Sequence, residues 1–109
     1  MHRYLGPGLP ESTHENGLCR EFPDRGIAFV RQVPLPVIYK GLKLDCGYRL
    51  DFLVENAVVV ELKAAAQLEK IHEAQLLTSL RLTGRKLGLL LNFNVLLMKN
   101  GIKRIANGL

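Results

Sequence analysis

Asp51, Glu61 and Lys63 are the residues of this 109-residue chain whose types and spacing reach furthest toward chemistry. Two carboxylates brought together attract a divalent cation, and an amine beside them can orient a reacting water, take its proton or steady developing charge. Whether they meet depends on the elements that carry them. Tyr48-Arg49-Leu50-Asp51-Phe52-Leu53-Val54 alternates with the period of a strand, Tyr48, Leu50, Phe52 and Val54 on one face, Arg49, Asp51 and Leu53 on the other. Ala57 to Lys63 alternates too, with Val58, Val60 and Leu62 opposed to Val59, Glu61 and Lys63. Glu55-Asn56 is the polar corner between them, so the two runs read as a β-hairpin.

The register of that hairpin decides the chemistry. Directly opposed residues of an antiparallel pair share a face, so Asp51 meets Glu61 only across a loop with an odd number of residues. A three-residue loop, Glu55-Asn56-Ala57, satisfies this, and Asn56 tolerates the left-handed conformation such a loop needs. A two-residue loop would set Asp51 against Val60 and dissolve the pair. Like charges across a ladder destabilise it, so a functional pairing calls for a cation, a proton or the Lys63 ammonium. The same spacing also suits a structural ion network beside a sheet.

Around the hairpin, Pro10 suits the first turn of a helix, or Ser12 to Glu15 forms a capping box slightly later; Leu18, Cys19 and Phe22 then face inward and the helix stops near Pro23. Ile27 to Val33 reads as a strand, Pro34-Leu35-Pro36 as its break, Val37 to Tyr39 as a short strand, and Lys40 to Lys43 as a turn. Leu68 to Leu82 has helical spacing, with Leu68, Ile71, Leu76 and Leu80 as its apolar stripe and Gly84 as its end. Lys86 to Phe93 is apolar enough for a strand buried on both faces, while Val95 to Met98 and Ile102 to Ala106 flank an Asn-Gly hairpin signal. The order predicts an α+β or mixed α/β arrangement around one sheet.

Length allows one domain with a single core. Fifteen Lys and Arg against ten Asp and Glu, a formal charge of +5, favour a polyanionic partner. Cys19 and Cys46 lack the CxxC spacing of zinc or redox motifs and read as reduced cytosolic thiols. The N-terminus has no apolar signal core, and Asn92 and Asn94 interrupt the apolar stretch from Leu87 to Met98 well short of a membrane span, so the expected location is cytoplasmic. His14 and His72 lack H-x3-H or H-E-x-x-H spacing and read as solvated or hydrogen-bonding. Arg81, Arg85 and Lys86, and separately Lys99, Lys103 and Arg104, are basic clusters that form either solvated faces or a phosphate-tracking groove.

The spacing D-x9-E-x-K on a hairpin resembles the PD-(D/E)XK nuclease superfamily, with Leu50-Asp51 in place of its "PD" and Glu61-Leu62-Lys63 as its "ExK". More of the chain matches: Gly8-Leu9-Pro10-Glu11 with Glu15, Arg31 to Pro34, Val37 to Gly41, Tyr48 to Asp51, Val60 to Ala64, His72 to Leu77, and Gly88 to Phe93. Together these resemble the bacterial GxxExxY family of that superfamily, over nearly the whole chain.

The resemblance implies a restriction-endonuclease-like core, a central mixed sheet flanked by helices, in a single domain spanning residues 1–109. It implies Mg²⁺ or Mn²⁺ held by Asp51 and Glu61, with Glu11 or Glu15 as a further carboxylate, Lys63 as catalytic helper and Gln75 contacting substrate or a metal water. The expected activity is hydrolysis of a phosphodiester in DNA or RNA. Two positions depart from the pattern: the eponymous tyrosine is His14, and the tyrosine of a Q-x-x-x-Y motif is Ser79. Those departures keep a second reading open, a catalytically inactive nuclease-fold module that binds nucleic acid or a protein partner. The likeness also begins partway through the family's first helical segment, so a shortened first element would leave core surface for another copy of the chain or a partner to cover, as in a homo-oligomer.

Overall fold

The computed structural model describes residues 8–35, 37–44, 49–94 and 100–108. Helix α1 (Glu11–Asp24) takes Pro10 as its N-cap, so it is already running at Ser12, and no capping box forms from Ser12 to Glu15. Leu18, Cys19 and Phe22 face the sheet as their spacing predicts. Pro23 lies within the last turn, and the helix closes when the Arg25 N–H reaches the carbonyls of Glu21 and Phe22.

Strand β1 (Phe29–Pro34) begins two residues later than its apolar run and includes Pro34. That proline is tolerated because β1 pairs with one neighbour only. The short strand β2 (Val37–Tyr39) falls where expected. Leu42 and Lys43, read from sequence as part of a turn, belong instead to strand β3 (Leu42–Leu44), so that β2 and β3 form a separate two-stranded sheet turning at Lys40-Gly41. Residues 95–98, expected as a strand, lie outside the described residues.

The main sheet has five strands in the order β1, β4 (Arg49–Val54), β5 (Val58–Lys63), β6 (Leu87–Asn92), β7 (Ile102–Ala106). Every pairing is antiparallel except β5 with β6, which α2 (Lys70–Thr83) connects. This is the mixed sheet with flanking helices, an α+β fold. Helix α2 ends at Gly84, whose left-handed φ of 68° lets the Arg85 N–H return to the Leu80 carbonyl. Among the described residues, no helix is long and apolar enough to cross a membrane.

Each face of the sheet has its own core. Leu50, Val59 and Leu90 pack with Leu76 and Leu80 of α2, while Phe52, Val60, Leu62 and Phe93 pack with the inner face of α1. Leu50 and Phe52 were expected on one face, but they join different cores. The change falls at Asp51, where the register of β1 with β4 passes from Arg31–Phe52 to Val33–Leu50 without pairing Gln32, whose φ is 52°. The predicted stripe of α2 is also amended: Ile71 is exposed and the buried Ser79 completes the inner face.

Candidate active site

The β4–β5 hairpin turns through Glu55-Asn56-Ala57 and pairs Val54 with Val58, Leu53 with Val59 and Phe52 with Val60. The loop is the odd one that carries Asp51 toward Glu61. Both Glu55 and Asn56 hold a φ of 53°. A left-handed glutamate costs about 1 kcal/mol. The cost is offset because the Glu55 N–H donates to the Ala28 carbonyl at 2.9 Å and its Oε1 accepts from the Ala28 N–H at 3.1 Å.

Beyond Phe52 and Val60 the two strands no longer pair, although both continue. In the notch so formed, the Leu62 N–H donates to Asp51 Oδ2 at 2.8 Å. The carboxylate thus takes the place of a ladder acceptor and is fixed against β5. The pKa of Glu61 is pushed up from 4.5 to about 8, by burial first, then by the charge and hydrogen bonding of the neighbouring Asp51, against the pull of Lys63.

Asp51, Glu61 and Lys63 line a cavity of about 270 Å³ together with Glu11 of α1, Arg49 of β4 and His72 and Gln75 of α2. The pKa of Glu11 is raised by burial, with Lys63 opposing and Asp51 adding to the rise. Glu15 is placed differently. It lines an adjoining hollow of about 220 Å³ with Glu11, Gln32 and Asp51, and its carboxylate is engaged by Arg31, Nη2 to Oε2 at 3.0 Å, and by Gln32 Nε2.

Once Glu61 loses its proton, the Asp51–Glu61 pair needs a counter-charge. Glu61 Oε1 is buried without a hydrogen-bond partner among the described residues, an arrangement that costs about 1–3 kcal/mol unless something fills it. Two facing carboxylates are hard oxygen donors suited to Mg²⁺ or Mn²⁺. Among the described residues no group of three or more His, Cys, Asp or Glu is placed to hold a metal ion, so the protein side of such a site is the Asp51–Glu61 pair, with Glu11 lining the same cavity. The residues fit the group as a partial shell whose other positions fall to water, backbone or substrate.

The helices are set against this notch by packing. Gly88 lies under Leu76, where a Cβ would come within 2.9 Å of the leucine methyls, so its absence lets α2 settle close to β6. Asn92 holds the segment after Lys63: its Oδ1 accepts from Ala65 N–H at 3.1 Å and its Nδ2 donates to the Ala65 carbonyl at 3.0 Å. Sequence reasoning missed this clamp, since Asn92 stood out only as an interruption of an apolar run. Arg49 and His72 were also missed as cavity residues. Their signals were present: Arg49 is two residues before Asp51 on a strand, and His72 is three before Gln75 on a helix.

His14 and Ser79 occupy the two departing positions and both are fully buried. His14 stacks on Phe93 at 4.2 Å between ring centroids, so its ring is packing material in the α1 core and not a solvated side chain. Ser79 Oγ donates to the Gln75 carbonyl one turn back.

A family model described as the PD-(D/E)XK nuclease superfamily matches residues 1–105. The chain belongs to the PD-(D/E)XK nuclease superfamily. No curated protein and no solved structure matches it. PD-(D/E)XK nucleases generally use divalent metals, and membership makes nucleic acid the substrate class suggested for the cavity. Asp51 and Glu61-Leu62-Lys63, the residues whose spacing resembles the two motifs of that superfamily, line the same cavity.

Proposed function

We propose that this chain is a divalent-metal-dependent nuclease of the GxxExxY group, one domain over residues 1–109, that hydrolyses phosphodiesters of DNA or RNA in the cytoplasm. The observation carrying this reading is the shared cavity in which Asp51 and Glu61 face each other with Lys63 beside them. Asp51 and Glu61 are the residues that hold Mg²⁺ or Mn²⁺, Glu11 is the further carboxylate nearest to them, and Glu15 supports the site through the adjoining hollow. When bound, such an ion supplies Lewis acidity toward the phosphate and toward a water.

The reaction asks three things of the chain's own groups. Lys63 orients the attacking water and stabilises the charge that develops on the phosphate oxygens as the water oxygen bonds to phosphorus and the ester P–O bond breaks. The attacking water gives up a proton to solvent, and the leaving oxygen takes up a proton from solvent water as it departs. Gln75 hydrogen-bonds substrate or a water of the ion, and Arg49 puts a permanent positive charge on the cavity wall.

The test is cleavage of labelled DNA and RNA in Mn²⁺, together with calorimetric Mn²⁺ titration, on wild type and Asp51→Ala. Cleavage and Mn²⁺ binding that disappear together in a folded Asp51→Ala protein support the reading; equal cleavage in both proteins overturns it. The burial of His14 and Ser79 favours a second reading, a nuclease fold without turnover that binds nucleic acid or a protein partner, because neither replacement presents a hydroxyl-bearing ring to the cavity. That reading expects salt-dependent binding without cleavage, indifferent to Asp51→Ala.

A further inference from the structure

His72 is built into the site with its tautomer already chosen. The Glu69 N–H donates to His72 Nδ1 at 3.0 Å, and the His72 N–H returns to the Glu69 carbonyl at 3.0 Å. A backbone N–H can only donate, so Nδ1 acts as the acceptor of this bond and Nε2 carries the N–H of the ring. Helix α2 begins at Lys70, which sets the ring on its first turn. His72, Gln75 and Leu76 then fall on one stripe of the helix, and all three line the cavity of Asp51, Glu61 and Lys63.

We propose that His72 is a substrate-binding residue of this site, its Nε2–H donating to a non-bridging oxygen of the nucleic-acid phosphate held in the cavity. The proposal rests on the nuclease reading and adds to it a donor that no sequence motif assigned. Its physical sense is preorganisation. The helix cap uses one ring nitrogen to lock the rotamer and tautomer, so the other nitrogen meets a phosphate oxygen at little further entropic cost. Acids and donors also divide the cavity: Glu11, Asp51 and Glu61 suit a cation, while Arg49, Lys63, His72 and Gln75 suit the anionic ester that a cation would bridge.

Two substitutions separate this role from helix capping. In His72→Asn, the amide oxygen stands near the place of Nδ1 and keeps the cap while the Nε2–H is lost. In His72→Gln, the amide nitrogen stands near the place of Nε2 and keeps a donor while the cap is lost. Steady-state cleavage of single-stranded and duplex DNA and RNA oligonucleotides in Mn²⁺ is measured for both, alongside thermal melting. The expected result is a KM raised about tenfold in His72→Asn with kcat and melting near wild type. For His72→Gln, KM stays within about twofold while the melting temperature falls.

A wild-type KM in His72→Asn overturns the proposal, and so does a KM that rises only in step with lost stability across the two variants. Wild-type protein that neither cuts nor binds any of the oligonucleotides overturns the nuclease reading itself, and the proposal with it. Cleavage by wild type with an unaltered His72→Asn leaves the nuclease reading standing and discards only the role of His72.

Discussion

The β4–β5 hairpin is two different structures along its length. Near the turn, Phe52, Leu53 and Val54 face Val60, Val59 and Val58 in a regular ladder, and these side chains feed the cores on both faces of the sheet. Beyond Phe52 the ladder stops, and two carboxylates occupy the opening, with Glu61 Oε1 buried and without a hydrogen-bond partner among the described residues. In the sequence the same period-two alternation runs through both halves, but in the fold it changes at Asp51. What differs is the chemistry of the opposed pair: apolar partners reward close pairing, whereas facing acids oppose it and leave room for something else. The paired half supplies the rigidity that the open half uses.

The largest effect belongs to the paired half. Phe52 is fully buried and makes edge contacts with Phe22 and Phe29 at 5.5 and 5.6 Å between centroids. Its replacement by alanine is expected to cost about 3–5 kcal/mol of unfolding free energy in urea denaturation. A loss below about 1 kcal/mol would mean that the ladder half is not the foundation described here.

In the open half, Lys63→Ala is expected to lower cleavage about 10²- to 10³-fold while Mn²⁺ affinity by calorimetry stays close to wild type. Parallel loss of metal affinity would move Lys63 from the reacting water to the integrity of the acid pair.

Stability against pH sharpens the contrast further. Glu61 holds its proton to about pH 8 in the folded protein against 4.5 ordinarily, so between those values the folded state binds more protons than the unfolded one. The contribution is complete below pH 4.5, declines as pH rises through the window and levels off above pH 8. Without divalent ions, Glu61→Gln should abolish that decline and be more stable than wild type at high pH by about 1–3 kcal/mol. Saturating Mn²⁺ should shrink the difference, since a cation stabilises the charged carboxylate. Guanidinium melts across the pH range measure both.

The smallest effect is expected at the turn. Glu55→Gly relieves a left-handed conformation but forfeits the bond to the Ala28 N–H, so stability should change by less than about 1 kcal/mol. A much larger loss would show that the glutamate carboxylate, and not the turn, holds β1 against the hairpin.

Much of this contrast was legible beforehand because both halves obey local rules. The odd loop at Glu55-Asn56-Ala57 follows from residue types and parity, and it alone directs Asp51 toward Glu61. The termination of α2 at Gly84 likewise needs only the left-handed tolerance of glycine. The split of Leu50 and Phe52 between two cores was not legible. It accompanies a left-handed Gln32 on the neighbouring strand, and no pattern within β4 carries that information. Nor was the ion pair of Glu15 with Arg31 visible, since those residues are brought together only when α1 packs beside β1.

From its own order of residues this chain determined the strands of the hairpin, their facing acids and the superfamily pattern, because alternation and loop parity act between neighbours along the chain. Packing alone decided which helical residues border the acids, how Asn92 clamps the segment after Lys63, and where His14 is buried. Those outcomes join groups far apart in the chain, and contacts of that kind exist only once the two helices have closed on opposite faces of the sheet.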